Sequence, residues 1–115
     1  MRYDITPIAK PRMTRSDRWK KRKAVIQYWA FKAECKAKGV RFPTAGASIK
    51  FGLPMPSSWS SRKRELMRGT PHQSKPDLDN LLKGLADAVY PENDSMICSI
   101  WIAKAWSDKG YIEVL

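Results

Sequence analysis

The sequence predicts an α+β fold: one domain over residues 1–115, with a mixed β-sheet of about four strands covered by helices. Three observations carry this prediction. Two stretches, 24–38 and 78–89, carry apolar residues at helical spacing and end at a glycine or a proline. Others, at 47–54, 96–106 and 111–115, are rich in residues that favour strands and are bounded by Pro, Gly and Asp. The two kinds of segment interleave as β-α-β-α-α-β-β, an order that suits helices packed on a mixed sheet.

Taken in order, Tyr3 to Ile8 reads as a short strand, ended by Pro7 and Pro11. Ser16 or Asp17 can cap a helix running to about Lys38, with Gly39 just past its end. Its inner stripe is expected to be Ile26, Ala30, Ala33 and Ala37, with Val25 and Trp29 alongside. Ala47 to Pro54 is a second strand, stopped by Pro54-Met55-Pro56. Ser57 to Met67 forms a short helix from serine caps, and Gly69 to Lys75 a loop. A helix from Leu78 to Val89 sorts its residues cleanly: Leu81, Leu82, Leu85, Ala86 and Val89 share one arc, and Asp79, Asn80, Lys83 and Asp87 the opposite one. Pro91 to Asp94 makes a turn. Met96 to Trp106 is a long strand, and Asp108-Lys109-Gly110 is expected to be a hairpin turn into Tyr111 to Leu115.

Charge narrows the function. The chain carries a net +11 from 22 Lys and Arg against 11 acids. Residues 1–75 hold 19 of the bases and four acids, Asp4, Asp17, Glu34 and Glu65, a balance of +15; residues 76–115 hold three bases and seven acids, a balance of −4. A basic body joined to an acidic patch fits a protein that holds a polyanion and a metal. Lys10, Arg12, Arg15, Arg18, Lys20, Lys21, Arg22 and Lys23 form one basic run, with Trp19 interleaved. Such a run suits phosphate contacts; the plainer reading is a solvated helix face. Arg62, Lys63, Arg64, Arg68 and Lys75 form a second group that leads straight to the acids, and His72 is a loop histidine within reach of the same phosphate path. The second group is the better choice for guiding the backbone to the acids.

No run of 18 apolar residues occurs, and Met1-Arg2-Tyr3-Asp4 lacks the apolar stretch of a secretory signal. A cytoplasmic protein with no membrane partner is expected. Cys35, Cys98 and the single histidine make no zinc pattern, so two reduced, packed thiols are expected.

The most informative stretch is Lys75-Pro76-Asp77-Leu78-Asp79-Asn80-Leu81-Leu82-Lys83. Pro76 brings the chain in extended. If Asp77-Leu78-Asp79 is extended too, both carboxylates lie on one side and Leu78 points into the core. Two such close charges repel, and a Mg²⁺ ion, which prefers carboxylate and water oxygen, relieves that repulsion. Lys83 follows Asp79 by one helical turn and can reach the same site. Asp94, in the turn before a strand, is the candidate third acid. Three carboxylates, a lysine and metal-bound water suit phosphodiester hydrolysis. Equally, Asp77 or Asp79 can be only a helix cap, and Asp79 with Lys83 only a surface ion pair.

This order of residues, with Pro71-His72, Gln73-Ser74, Asp87-Ala88 and Asn93-Asp94 around it, closely resembles the RusA endodeoxyribonuclease family, especially its phage and prophage members. Pro11-Arg12-Met13 with the basic run after it, and Ser57-Ser58-Trp59-Ser60 before Arg62-Lys63-Arg64, resemble the same subgroup. The resemblance implies a Mg²⁺-dependent enzyme, with Mn²⁺ as a substitute, that acts in bacterial cytoplasm as a homodimer and resolves four-way DNA junctions by paired symmetric nicks. It implies essential acids at Asp77, Asp79 and Asp94 and an essential lysine at Lys83. Family members often have two adjacent aspartates at the last motif, where this chain has Asn93 before Asp94. Two rival readings remain: a nuclease for other branched DNA such as flaps or forks, and a non-catalytic basic nucleic-acid-binding module.

Overall fold

The computed structural model describes residues 1–12 and 23–115. The elements are β1 (Arg2–Tyr3), α1 (Lys23–Ala37), β2 (Ala45–Pro54), α2 (Ser61–Met67), α3 (Leu78–Val89), a 3₁₀ turn at Asp94–Met96, β3 (Ser99–Ser107) and β4 (Tyr111–Val114). Their order is the one the sequence predicts, and the fold is α+β. The start of the first helix, at Ser16 or Asp17, lies outside the described residues.

The sheet has the strand order β1-β4-β2-β3. β2 is the spine: it runs parallel to β3 along Ala45–Pro54 and antiparallel to β4 over Ile49–Gly52. Side chains alternate along it, so Ala47, Ile49, Phe51 and Leu53 all enter the core. There they meet Tyr28, Phe31 and Cys35 from α1, Leu81 and Leu85 from α3, and Ile112 from β4. α1 and α3 thus lie together on one face of the sheet. On the opposite face β2 presents Gly52, where an added Cβ would stand 2.1 Å from the Tyr111 ring.

Four expectations are corrected. The buried stripe of α1 is Val25, Tyr28, Phe31 and Cys35, while Ala30, Ala33 and Ala37 are exposed, Ile26 is 49% exposed and Trp29 42%. The aromatic stripe buries more apolar area than the alanine stripe, and its Tyr28 hydroxyl finds an acceptor. Next, Asp108-Lys109-Gly110 does not close a hairpin. β2 lies between β3 and β4, so this turn carries the chain across the end of β2. Third, the first strand is shorter than Tyr3–Ile8, because the Ile5 N–H turns back onto the Tyr3 carbonyl at 2.9 Å and leaves the ladder. α2 begins later than Ser57, with the Ser60 hydroxyl accepting from the Lys63 N–H at 3.2 Å.

Two further features frame the site. Asp87 fastens α3 to α1: its carboxylate accepts from the Tyr28 hydroxyl at 2.6 Å and from the Lys32 ammonium at 3.1 Å. The outer edge of β3 is covered by the segment after α2, through Gly69 N–H to Trp106 O (2.9 Å), Trp106 N–H to Thr70 O (3.0 Å) and His72 N–H to Lys104 O (3.1 Å). That strap leaves the sheet at His72 and leads to the start of α3.

Candidate functional site

The chain enters α3 through Lys75-Pro76, whose peptide bond is cis. Asp77 takes the N-cap position with an extended backbone, φ −67° and ψ 142°, and its carbonyl accepts the first helical bond from the Leu81 N–H at 3.1 Å. Its carboxylate makes no cap bond. The capping explanation therefore does not account for Asp77. Asp79 stands in the first turn of the helix, so the two acids are not related by strand alternation. Leu78 nonetheless packs against the core, as that reading required. Asp79 faces Lys83 at 3.7 Å, with side chains 71% and 62% exposed. At that exposure the pair contributes no more than a few tenths of a kcal/mol to stability, so folding does not explain why an acid and a lysine stand there.

Asp94 opens the 3₁₀ turn and is exposed. It shares a cavity of about 590 Å³ with Lys83, walled by Leu82, Ala86, Ile97 and Ile100 and rimmed by Cys98 and Ser99. Lys83 is thus common to both acidic stretches. The donors have the chemistry a hard divalent cation takes, since they are solvent-facing carboxylate oxygens. They do not form a finished cage: among the described residues, no three His, Cys, Asp or Glu side chains come close enough together to hold a metal ion.

The basic residues divide. Lys10 and Arg12 line a cavity of about 320 Å³ with Pro11, Asn80 and Lys83. The Lys10 N–H donates to the Asn80 carbonyl at 3.1 Å, and a Cβ on Gly84 would stand 2.6 Å from the Ile8 carbonyl oxygen. Lys10 and Arg12 are therefore docked against the acid-bearing helix. Arg15, Arg18, Lys20 and Lys21 lie outside the described residues.

In the second group, Arg62 and Lys75 are exposed, Lys63 lies 4.3 Å over the Trp59 ring, and Arg64 donates to the Pro56 carbonyl at 3.1 Å. Arg68 is engaged bidentately by Asp108 at 2.7 and 3.0 Å. That pairing holds the guanidinium's pKa above its ordinary value and the Asp108 carboxyl's below. The expectation for His72 is corrected: it is 4% exposed, packed 4.0 Å from the Trp106 ring, and offers no face to a phosphate. Burial first, and then the Lys104 charge, keep its imidazole neutral at a pKa below the usual value. Cys98 is exposed rather than packed, while Cys35 is buried with its thiol pushed up to about 11.

One residue beside the site was missed. The Lys104 ammonium donates to the Ser74 carbonyl and, at 2.6 Å, to the Pro76 carbonyl; burial lowers its proton affinity and the Asp77 charge opposes that. A signal for it exists: in Ile100-x-Ile102-x-Lys104-x-Trp106, strand alternation puts a lysine among side chains on the core side of the sheet, a place where charges are rare without a partner.

A family model described as Endodeoxyribonuclease RusA matches residues 4–115. The chain is also similar to the uncharacterized protein YqaN of Bacillus subtilis (strain 168), 33% identical over a stretch that covers 58% of this chain and 52% of that protein. The match thus spans about half the length of that relative. No solved structure matches the chain. Among the described residues, no helix is long and apolar enough to cross a membrane.

Proposed function

Because the chain belongs to the RusA endodeoxyribonuclease family, we propose that it is a Mg²⁺-dependent endonuclease that resolves four-way DNA junctions, as a homodimer, by paired symmetric nicks. The observation that carries this reading is Lys83, which pairs with Asp79 and shares a cavity with Asp94, while Asp77, two residues before Asp79, makes no cap bond.

Asp77, Asp79 and Asp94 are the acids that would hold the cation once drawn together around it, and Mn²⁺ offers the same octahedral oxygen preference. Bound there, the cation would supply an activated water and offset charge on the leaving oxygen. The remaining work falls to the chain itself. Lys83, paired with Asp79 and in one cavity with Asp94, would set its ammonium beside a phosphate held there and stabilise growing negative charge. Lys10 and Arg12, on the other side of Lys83, bind the flanking phosphates and fix the strand's register. Arg62, Lys63 and Lys75, together with the basic run at 15–23, extend the electropositive surface that draws in branched DNA. One chain of this size carries one such site, and two cuts on opposed strands call for a twofold pair.

The test is cleavage of a labelled synthetic four-way junction, compared with a flap and a linear duplex at matched salt, with and without Mg²⁺. Symmetric Mg²⁺-dependent nicks on the junction are expected. Asp79→Asn should reduce the rate about 10²-fold or more while binding the junction at least as tightly as the unaltered protein. Cleavage without a divalent ion, or an Asp79→Asn variant of unchanged rate, refutes the reading.

A further inference from the structure

We propose that Lys104 is a positioning residue for the catalytic acids, holding the loop that presents Asp77. This rests on the reading of Asp77 as a site acid. The backbone bonds between the strap and β3 end at His72, whose N–H reaches the Lys104 carbonyl at 3.1 Å. Residues 73–76 then bridge from the sheet edge to the start of α3. Across that gap the Lys104 side chain continues the attachment, with its ammonium donating to Ser74 O and to Pro76 O, the latter at 2.6 Å. An ammonium has three donors and a compact charge. Two donors hold alternate carbonyls of the loop, and the charge faces Asp77, the next residue along.

The placement explains why a lysine stands where alternation calls for an apolar side chain. In the register of the sheet Lys104 is paired with buried Phe51, on the helix-covered face. Leaving water is unfavourable for the ammonium, and its proton affinity falls accordingly, with burial the larger influence and Asp77 opposing it. A residue kept there against that penalty, with both bonds directed at the segment before an acid, sets where that acid lies. A shift of about 1 Å at a reacting group lowers rates by about 10²-fold, so one side chain suffices to matter.

The experiment compares unaltered protein, Lys104→Met, Lys104→Arg and Asp77→Asn, with Lys36→Met on α1 as a control for the loss of one positive charge. Lys104→Met keeps the length and volume of the stem and exposes the two carbonyls to water, and thermal melts verify that it folds. Two readouts are used. Hydrogen–deuterium exchange, measured without metal, should quicken at least about tenfold at amides 73–79 in Lys104→Met and stay unchanged along β2. Junction cleavage at saturating Mg²⁺ should fall about 30-fold in kcat, with the Kd for the junction within about twofold, and Lys104→Arg should recover most of the rate. Unchanged exchange at 73–79, or unchanged kcat in Lys104→Met, overturns the proposal. If Asp77→Asn cleaves normally, the underlying site reading fails instead, whatever Lys104→Met does.

Discussion

Replacing Asp87 by alanine should destabilise the fold by about 2–3 kcal/mol without touching the chemistry. The Tyr28 ring is fully buried, and its hydroxyl donates to Asp87 Oδ2 at 2.6 Å. A hydrogen bond to a charged acceptor contributes about 1.5–3 kcal/mol, and a buried hydroxyl left alone costs about 1–3 kcal/mol. The Lys32 partner is 33% exposed against 28% for Asp87, so its share is discounted for solvent to a few tenths. At roughly 4 °C per kcal/mol the melting temperature drops by about 10 °C. Burial alone would raise the Asp87 pKa, but the bonds from Tyr28 and Lys32 outweigh it and hold the pKa below the ordinary carboxylate value. The stabilisation is therefore complete above the unfolded pKa, near 4, and is lost as pH falls through the folded one. Urea titrations of the unaltered protein, Asp87→Ala, Tyr28→Phe and the double variant supply the measurement. A coupling of about 1 kcal/mol or more between the two sites at pH 7, shrinking in acid, is expected. A loss below about 0.5 kcal/mol, or a gap that widens in acid, refutes the argument. Asp87 lies two helical turns, about 12 Å, from Asp79, so cleavage at a temperature where both forms are folded should be unchanged.

Other outcomes follow from the same geometry. Arg62→Ala should lower the salt slope of junction binding by about one unit, whereas Arg68→Ala should lower it less, because Asp108 already neutralises that guanidinium; equal slopes would contradict this. A thiol reagent under native conditions should modify Cys98 quickly and Cys35 only after unfolding, since Cys35 is buried and its pKa stands near 11. Gly84→Ala places a methyl 2.6 Å from the Ile8 carbonyl oxygen. It should cost about 1–3 kcal/mol in stability, measured by urea titration, and weaken junction binding by displacing Lys10 and Arg12.

What the sequence revealed, and what it hid, follows from the range of the forces involved. α3 was legible to its boundaries because one period, one apolar arc and a Pro-Asp start all agree on Leu78–Val89. α1 was legible as a helix, but two apolar stripes competed on it. Only the packing of Tyr28 and Phe31 against β2 and α3, with Asp87 waiting for the hydroxyl, decided between them. The placement of β2 between β3 and β4 left no local trace, since a turn that crosses a strand end reads like a turn that closes a hairpin. In the site, the Asp79–Lys83 spacing was readable from helical geometry alone. That Asp94 shares a cavity with Lys83, and that Lys10 docks beside Asn80, depends on contacts between distant stretches. Lys104 and Gly84 went unread, although residue type carried a signal for each, a charge at an inward strand position and a glycine inside a helix.

The acids themselves argue against a module that only binds. On a surface whose task is to hold phosphates, an exposed carboxylate opposes binding through repulsion, and evenly basic surroundings would serve better. Here Asp77, Asp79 and Asp94 stand exposed; Asp79 pairs with Lys83, Asp94 shares a cavity with it, and Lys10 and Arg12 line another cavity with the same lysine. The pair Asp79–Lys83 adds little stability, and the Asp77 carboxylate makes no cap bond. Folding gains almost nothing from Asp77 and Asp79, and phosphate binding is impaired by exposed acids. Such placement makes physical sense when their negative charge is used by something that arrives with the opposite sign. That is why neutralising Asp79 should move binding and cleavage in opposite directions, a divergence that neither a structural role nor a simple phosphate-contact role would produce.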